Sequence, residues 1–188
     1  SLIDKGIINS KSGKIEFIHR GVLDNVDLSF MMHSTTTKKA NCAYLNSGSN
    51  GLISKLFTFH GVSAHAAKAD DGVNALYAAN TALSAINALR ETFEDSDHIR
   101  VHPVITKGGS SVNAIPDEVK LESYVRGANM DAIVDANRKV NRAFAGGAAA
   151  MGAQVHLWDH HGYAPLIQEP NLKELVRQVG VEVLGEEQ

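Results

Sequence analysis

The sequence predicts an α+β fold over residues 52–161. The form is a ferredoxin-like βαββαβ sandwich, an antiparallel sheet with two helices on one face. Three observations carry this. The hydrophobic pattern reads strand, helix, strand, strand, helix, strand. Apolar residues recur at helical spacing in two long stretches, 73–93 and 131–151. The segment Asp117–Arg126 alternates, with Val119, Leu121, Ser123 and Val125 on one side and Glu118, Lys120, Glu122, Tyr124 and Arg126 on the other. That alternation belongs to a sheet with one dry and one wetter face.

In chain order, Ile15, Ile18 and Val22 lie at helical spacing, and Gly21 stands where a helix can stop. Asp27–Met32 is an apolar run of strand length that ends at His33, and Ala40–Leu45 reads as a further strand. Asn46–Gly51, rich in Gly, Ser and Asn, is a turn or linker, and a domain boundary is placed there. Leu52–His60 reads as a strand with Phe57 and Phe59 on one face. A small-residue turn, Gly61–Ala67, follows. The first long helix runs from about Val73 to Phe93, with Val73, Leu76, Leu83, Ile86 and Phe93 as its stripe and Asp70 or Asp71 as its cap. Ile99–Thr106 alternates as a strand, and Lys107–Ser111 turns the chain into the strand ending at Arg126. The second helix spans about Asp131–Met151, with Ile133, Val140, Phe144 and Ala148 inward and Gly146–Gly147 as a weak point. Ala153–Asp159 is the last strand, and Pro170 opens a final helix to about Leu184.

Composition narrows the function classes. The chain has 188 residues, 44% of them hydrophobic, and a net charge of −3. A binder of phosphate backbones needs a basic surface, so nucleic acid is not the expected partner. No apolar run approaches the roughly 18–20 residues of a membrane span, and no charged-then-apolar signal segment opens the chain. The single Cys42 fits a reducing compartment, so a cytoplasmic location is expected.

Four residues could carry chemistry. His65 is flanked by Ser63, Ala64, Ala66 and Ala67, small enough for a ligand or another backbone to approach, and sits between a strand and a helix. It can donate a hydrogen bond to a developing oxyanion, or it can simply pack in a turn. Asn113, in the stretch Gly108–Pro116, offers an amide donor and an acceptor, or only turn chemistry. Arg126 can hold a carboxylate through two hydrogen bonds, or pair with Glu122. His33 ends an apolar strand, a usual place for a metal-binding imidazole, although a lone histidine there is more often structural. The pair His160–His161 points to opposite faces of a strand and reads as surface.

Taken together these stretches resemble one family. Phe59-His60-Gly61-Val62-Ser63-Ala64-His65-Ala66-Ala67 with Gly72–Leu76 resembles a signature of the two-metal aminoacylase and carboxypeptidase family of amidohydrolases. Gly108-Gly109, Asn113–Asp117, Leu121-Glu122 and Tyr124–Arg126 agree with it. Gly13–Ile15, Gly21–Asp27 and Met31–His33 resemble the aminobenzoyl-glutamate hydrolase and N-acyl-amino-acid hydrolase branch. The resemblance implies that 52–161 is a lid and dimerisation domain. Residues 1–51 and 162–188 would then be segments of an α/β catalytic domain. It implies that His33 is a metal ligand and that His65 reaches the partner's active site to stabilise the tetrahedral intermediate. Asn113 and Arg126 would bind the substrate. It further implies a small amide or dipeptide-like substrate, a homodimer, and two divalent ions in the intact protein: zinc first, with manganese or cobalt as alternatives.

One feature departs from the family pattern. The paired glutamates, one of them the general base, should precede Gly13-Lys14, where Ile7–Ser12 contains no acid. This chain alone is therefore expected to hold no catalytic metal pair and to hydrolyse nothing unaided. The competing reading is a catalytically degenerate member serving only for dimerisation or ligand binding. An RNA-binding domain shares the strand and helix order, but it would use a basic face with more aromatics than the single Tyr124 of strand 117–126.

Overall fold

In the computed structural model, residues 2, 5–9, 13–32, 45 and 48–186 are described. The chain divides into two compact units, one of residues 1–49 with 166–188 and one of residues 50–165.

In the first unit, helix α1 (Gly13–His19) is followed by Gly21 at φ +68°, a conformation that favours glycine. Its buried Glu16 accepts hydrogen bonds from the Asn9 amide at 2.8 Å and from Arg20 Nε at 2.7 Å. The predicted apolar stripe is only partly inward, since Ile18 and Val22 are exposed. Residues 27–32 form no strand, contrary to expectation: Leu28, Phe30, Met31 and Met32 are exposed and have no ladder partner among the described residues. Most of the strand expected at 40–45, and His33, lie outside the described residues.

In the second unit, β1 (Gly51–His60) leads to α2 (Ala75–Leu89), β2 (Arg100–Val101), β3 (Val104–Lys107), β4 (Glu118–Gly127), α3 (Met130–Ala150) and β5 (Gln154–Tyr163). The first unit closes with α4 (Pro170–Leu184), where Pro170 stands at the start and Glu169 caps the Leu172 amide. Strands β4 and β1 are central and β5 lies outside β1, while β2 and β3 both pair with β4 on the other side. All pairings are antiparallel. Both helices pack on one face, so the ferredoxin-like βαββαβ arrangement stands.

Several predicted details differ. The strand expected at 99–106 is interrupted at His102-Pro103, because proline has no N–H to donate to the ladder. Helix α2 begins later and ends sooner than expected. Its cap is Asn74, whose Oδ1 accepts from the Leu76 and Tyr77 amides at 2.9 and 3.0 Å, while Asp70 and Asp71 close a short 3₁₀ segment instead. Strand β5 continues past Asp159 to Tyr163 through a bulge opposite Leu52–Ile53.

The core explains the helix contact. Phe57 and Phe59 are buried beneath Phe144, which stacks on Phe57 with ring centres 3.6 Å apart. Helix α2 buries mainly alanines, Ala75, Ala78, Ala79 and Ala82, where larger residues were expected. Small residues let α3 approach closely. A Cβ built on Gly147 would lie 2.6 Å from the Ala82 nitrogen, so this glycine is the contact point and not a weak spot. The same face buries Lys55, whose ammonium bonds Asp159 of β5 and Asn137 of α3. Burial pulls the Lys55 pKa down despite those partners. Partial burial works against ionisation of Asp159, yet hydrogen bonds from Asn137 and Lys55 outweigh it and hold the carboxyl below its usual range.

Candidate functional site

Buried Phe57 and Phe59 pin the end of β1, and the chain leaves the sheet at Gly61. Only glycine fits there, because a Cβ would stand 2.0 Å from the Val73 carbonyl oxygen. The Gly61 amide donates to Asp117 O at 2.7 Å, and Val62 and Val73 exchange two hydrogen bonds of 2.9 Å. The turn is next joined to the Gly108–Pro116 loop. The Ile115 amide donates to Ala64 O at 2.8 Å and the Ala66 amide to Asn113 O at 2.9 Å, which pairs His65 with Ala114 as in a short antiparallel ladder. Two loops far apart in sequence thus brace each other, and both carry a residue singled out by sequence.

His65 is exposed and its ring is oriented. Nδ1 accepts the Ala67 amide at 3.1 Å. An accepting Nδ1 carries no proton, so the neutral imidazole carries it on Nε2, which has no partner among the described residues and can donate outward. Asn113 is exposed beside it, with its backbone N–H donating to Ser111 Oγ at 3.2 Å. Between the loops lies a cleft of about 80 Å³ lined by Ser63, Gly109, Ser110, Pro116 and Asp117. Ligand pockets usually enclose roughly 300–1,000 Å³, so this cleft does not by itself surround a dipeptide-sized molecule.

Arg126 is elsewhere. It pairs in register with Leu52 and Arg100, whereas the His65 turn leaves the sheet at the opposite end, where His60 pairs with Glu118. Arg126 lies eight residue steps along β4 from Glu118, roughly 25 Å. Arg126 forms no ion pair among the described residues, with Glu122 or otherwise. The structure therefore brings His65 and Asn113 together and sets Arg126 apart. The fourth candidate, His33, lies outside the described residues, and among those residues no three His, Cys, Asp or Glu side chains converge as a metal group. The described residues alone do not fit a metal pair.

Sequence reasoning missed Gly61 and the Asp117 carbonyl as clamps on the His65 turn. The backbone acceptor leaves no signal in the sequence; the glycine's signal was its place between a strand and the small-residue run.

A family model described as the peptidase dimerisation domain matches residues 47–149. The chain belongs to this family. The dimerisation-domain chain is 30% identical over 181 residues to Xaa-Arg dipeptidase of Mus musculus, covering 93% of this chain and 40% of that protein. It is 32% identical over 120 residues to a p-aminobenzoyl-glutamate hydrolase chain of Escherichia coli K12, covering 62% of this chain and 27% of the relative. It thus spans well under half the length of these relatives. Among solved structures, an aminohydrolase from methicillin-resistant Staphylococcus aureus superposes with a TM-score of 0.77 at 22% identity, over 92% of this chain and 47% of that one. A Staphylococcus aureus tripeptidase gives 0.58 at 25% identity, over 71% and 36%. These likenesses agree with the α+β fold described above. No helix among the described residues is long and apolar enough to cross a membrane.

Proposed function

We propose that the whole protein is a metal-dependent amidohydrolase that cleaves the amide bond of N-acyl amino acids or dipeptide-like substrates, and that residues 50–165 serve it as dimerising lid. The observation that carries this is His65, held by two loops with Nε2 outward and Asn113 alongside. A donor set in a braced backbone is what a developing oxyanion needs, since it costs no reorganisation during reaction. The relatives named as a dipeptidase and as an aminobenzoyl-glutamate hydrolase support the bond type.

A homodimer is supported by α2. Its fifteen residues, Ala75–Leu89, contain no charge, and Tyr77, Asn80, Ser84 and Asn87 are exposed. Depletion of charge on an exposed helix is a feature of interface cores. The dimer also accounts for the separation of the site residues. One lid cannot place His65 and Arg126 on the same small substrate. Two lids can, with His65 and Asn113 from one protomer, and Arg126 from the other holding the substrate carboxylate. The two divalent ions, zinc or else manganese or cobalt, would stand on His33 and on residues of the whole protein beyond those described, and would supply the attacking hydroxide.

The test uses the intact protein loaded with zinc, cobalt or manganese and offered N-acyl amino acids and dipeptides. His65→Ala should lower kcat far more than it raises KM; full activity in that variant overturns the role given to His65. The acid-free stretch Ile7–Ser12 favours a second reading, a dimerisation module without catalysis. Metal analysis decides between them, because two tightly held ions per protomer are incompatible with the second.

A further inference from the structure

The open face of the sheet, opposite α2 and α3, carries histidines that the proposed chemistry does not use. His60 ends β1, and His156 lies on β5 two pairs along, opposite Thr58. The two therefore stand on the same face as diagonal neighbours across adjacent strands, with ring centres 5.0 Å apart and planes 64° from parallel. His60 is half-buried and His156 exposed.

We propose that His60 and His156 form a two-imidazole site for a borderline divalent transition ion such as Zn²⁺, with water completing the coordination. Imidazole nitrogens bind zinc at ~2.0–2.1 Å, and a tetrahedral angle between two of them sets the ring centres roughly 5 Å apart. The observed spacing already meets that requirement. The edge-to-face angle is removed by rotation about χ2, which is a soft torsion for histidine. The strand backbones fix the Cβ positions, so little ordering remains to be done when the ion arrives. The nearest charges on this face leave one positive charge uncompensated: Glu118, the register partner of His60, holds the ammonium groups of Lys107 at 2.8 Å and Lys120 at 3.4 Å, and its single carboxylate offsets one of the two. The imidazole bonds to the ion must therefore outweigh that residual repulsion, which water at the exposed face screens. Ligand softness selects the metal: two imidazoles suit zinc, nickel or copper and give magnesium or calcium, which take oxygen ligands, little to bind. His60 directly precedes Gly61. An ion here would clip β1 to β5 at the root of the His65 turn and raise stability by mass action.

The experiment titrates zinc into the 188-residue chain carrying His33→Ala, so that His33 contributes nothing, and follows heat of binding together with the imidazole NMR signals. One saturable ion per chain is expected, with His60 and His156 signals shifting together and the melting temperature rising with zinc but not with magnesium. His60→Gln and His156→Gln should each weaken binding at least tenfold, and the double variant hardly more than either alone. His160→Gln, on the same face, should stay within twofold. Absence of saturable uptake at millimolar zinc overturns the site, as does wild-type affinity in either variant.

Discussion

Gly146 and Gly147 are adjacent in α3, yet alanine should act on them with opposite sign. Removing a helical glycine gains about 0.5–1 kcal/mol from backbone entropy at either position. At Gly146 nothing lies within 4 Å of the new Cβ, so the whole gain is kept. At Gly147 the Cβ meets the Ala82 nitrogen at 2.6 Å and its Cα at 2.8 Å. Both are backbone atoms of a fully buried residue and cannot swing aside, so α2 and α3 must part. Overpacking of this kind costs about 1–3 kcal/mol. The entropy gain is common to both, so the two variants should differ by the overpacking cost, about 1–3 kcal/mol, with Gly146→Ala above the parent and Gly147→Ala below it. For a chain of this length that is a gap of roughly 2–12 °C in melting temperature. Urea unfolding followed by circular dichroism, with unchanged m-value, measures it. Equal stability of the two variants would refute the argument that the helices meet through Gly147.

Other outcomes follow from the same structure. A double-mutant cycle on Lys55→Met and Asp159→Asn should give a coupling of about 1–3 kcal/mol, kept below the fully buried case because a third of the Asp159 side chain is exposed. Asp159 is held below its usual carboxylate range, so its contribution is complete above the unfolded value of about 3.9 and is lost as pH falls through the native one. Asp159→Asn should accordingly flatten the acid limb of a stability–pH profile. Asn74→Ala removes the side-chain acceptor for two amides of α2 and should cost about 1 kcal/mol by the same unfolding assay. Mixing and reannealing the inactive His65→Ala and Arg126→Ala forms of the intact enzyme should restore about a quarter of wild-type activity, since half of the dimers are mixed and each holds one complete site. No recovery would mean that one protomer supplies both residues.

The pattern of residues alone carried the order and type of elements in residues 50–165 and the start of α4 at Pro170. Those properties are local, because periods of 2 and 3.6 are imposed by which face of a segment is dry. It also singled out His65 and Asn113, through small residues and glycines that leave room around them. How they meet is a property of the folded chain. The bonds of Ala64 and Ala66 to Ile115 and Asn113 join backbone groups, which every residue carries and no side chain announces. Packing alone turned Gly147 from a weak point into a contact, and made Lys55 a buried partner of a residue 104 positions away. Asn74 displaced Asp70 and Asp71 as the cap because the Val62–Val73 bridge delays the start of α2. The distance of Arg126 from His65 is likewise a matter of strand register: the phase of alternation tells which face a residue takes, but only the fold of β4 against β1 puts the two at opposite ends.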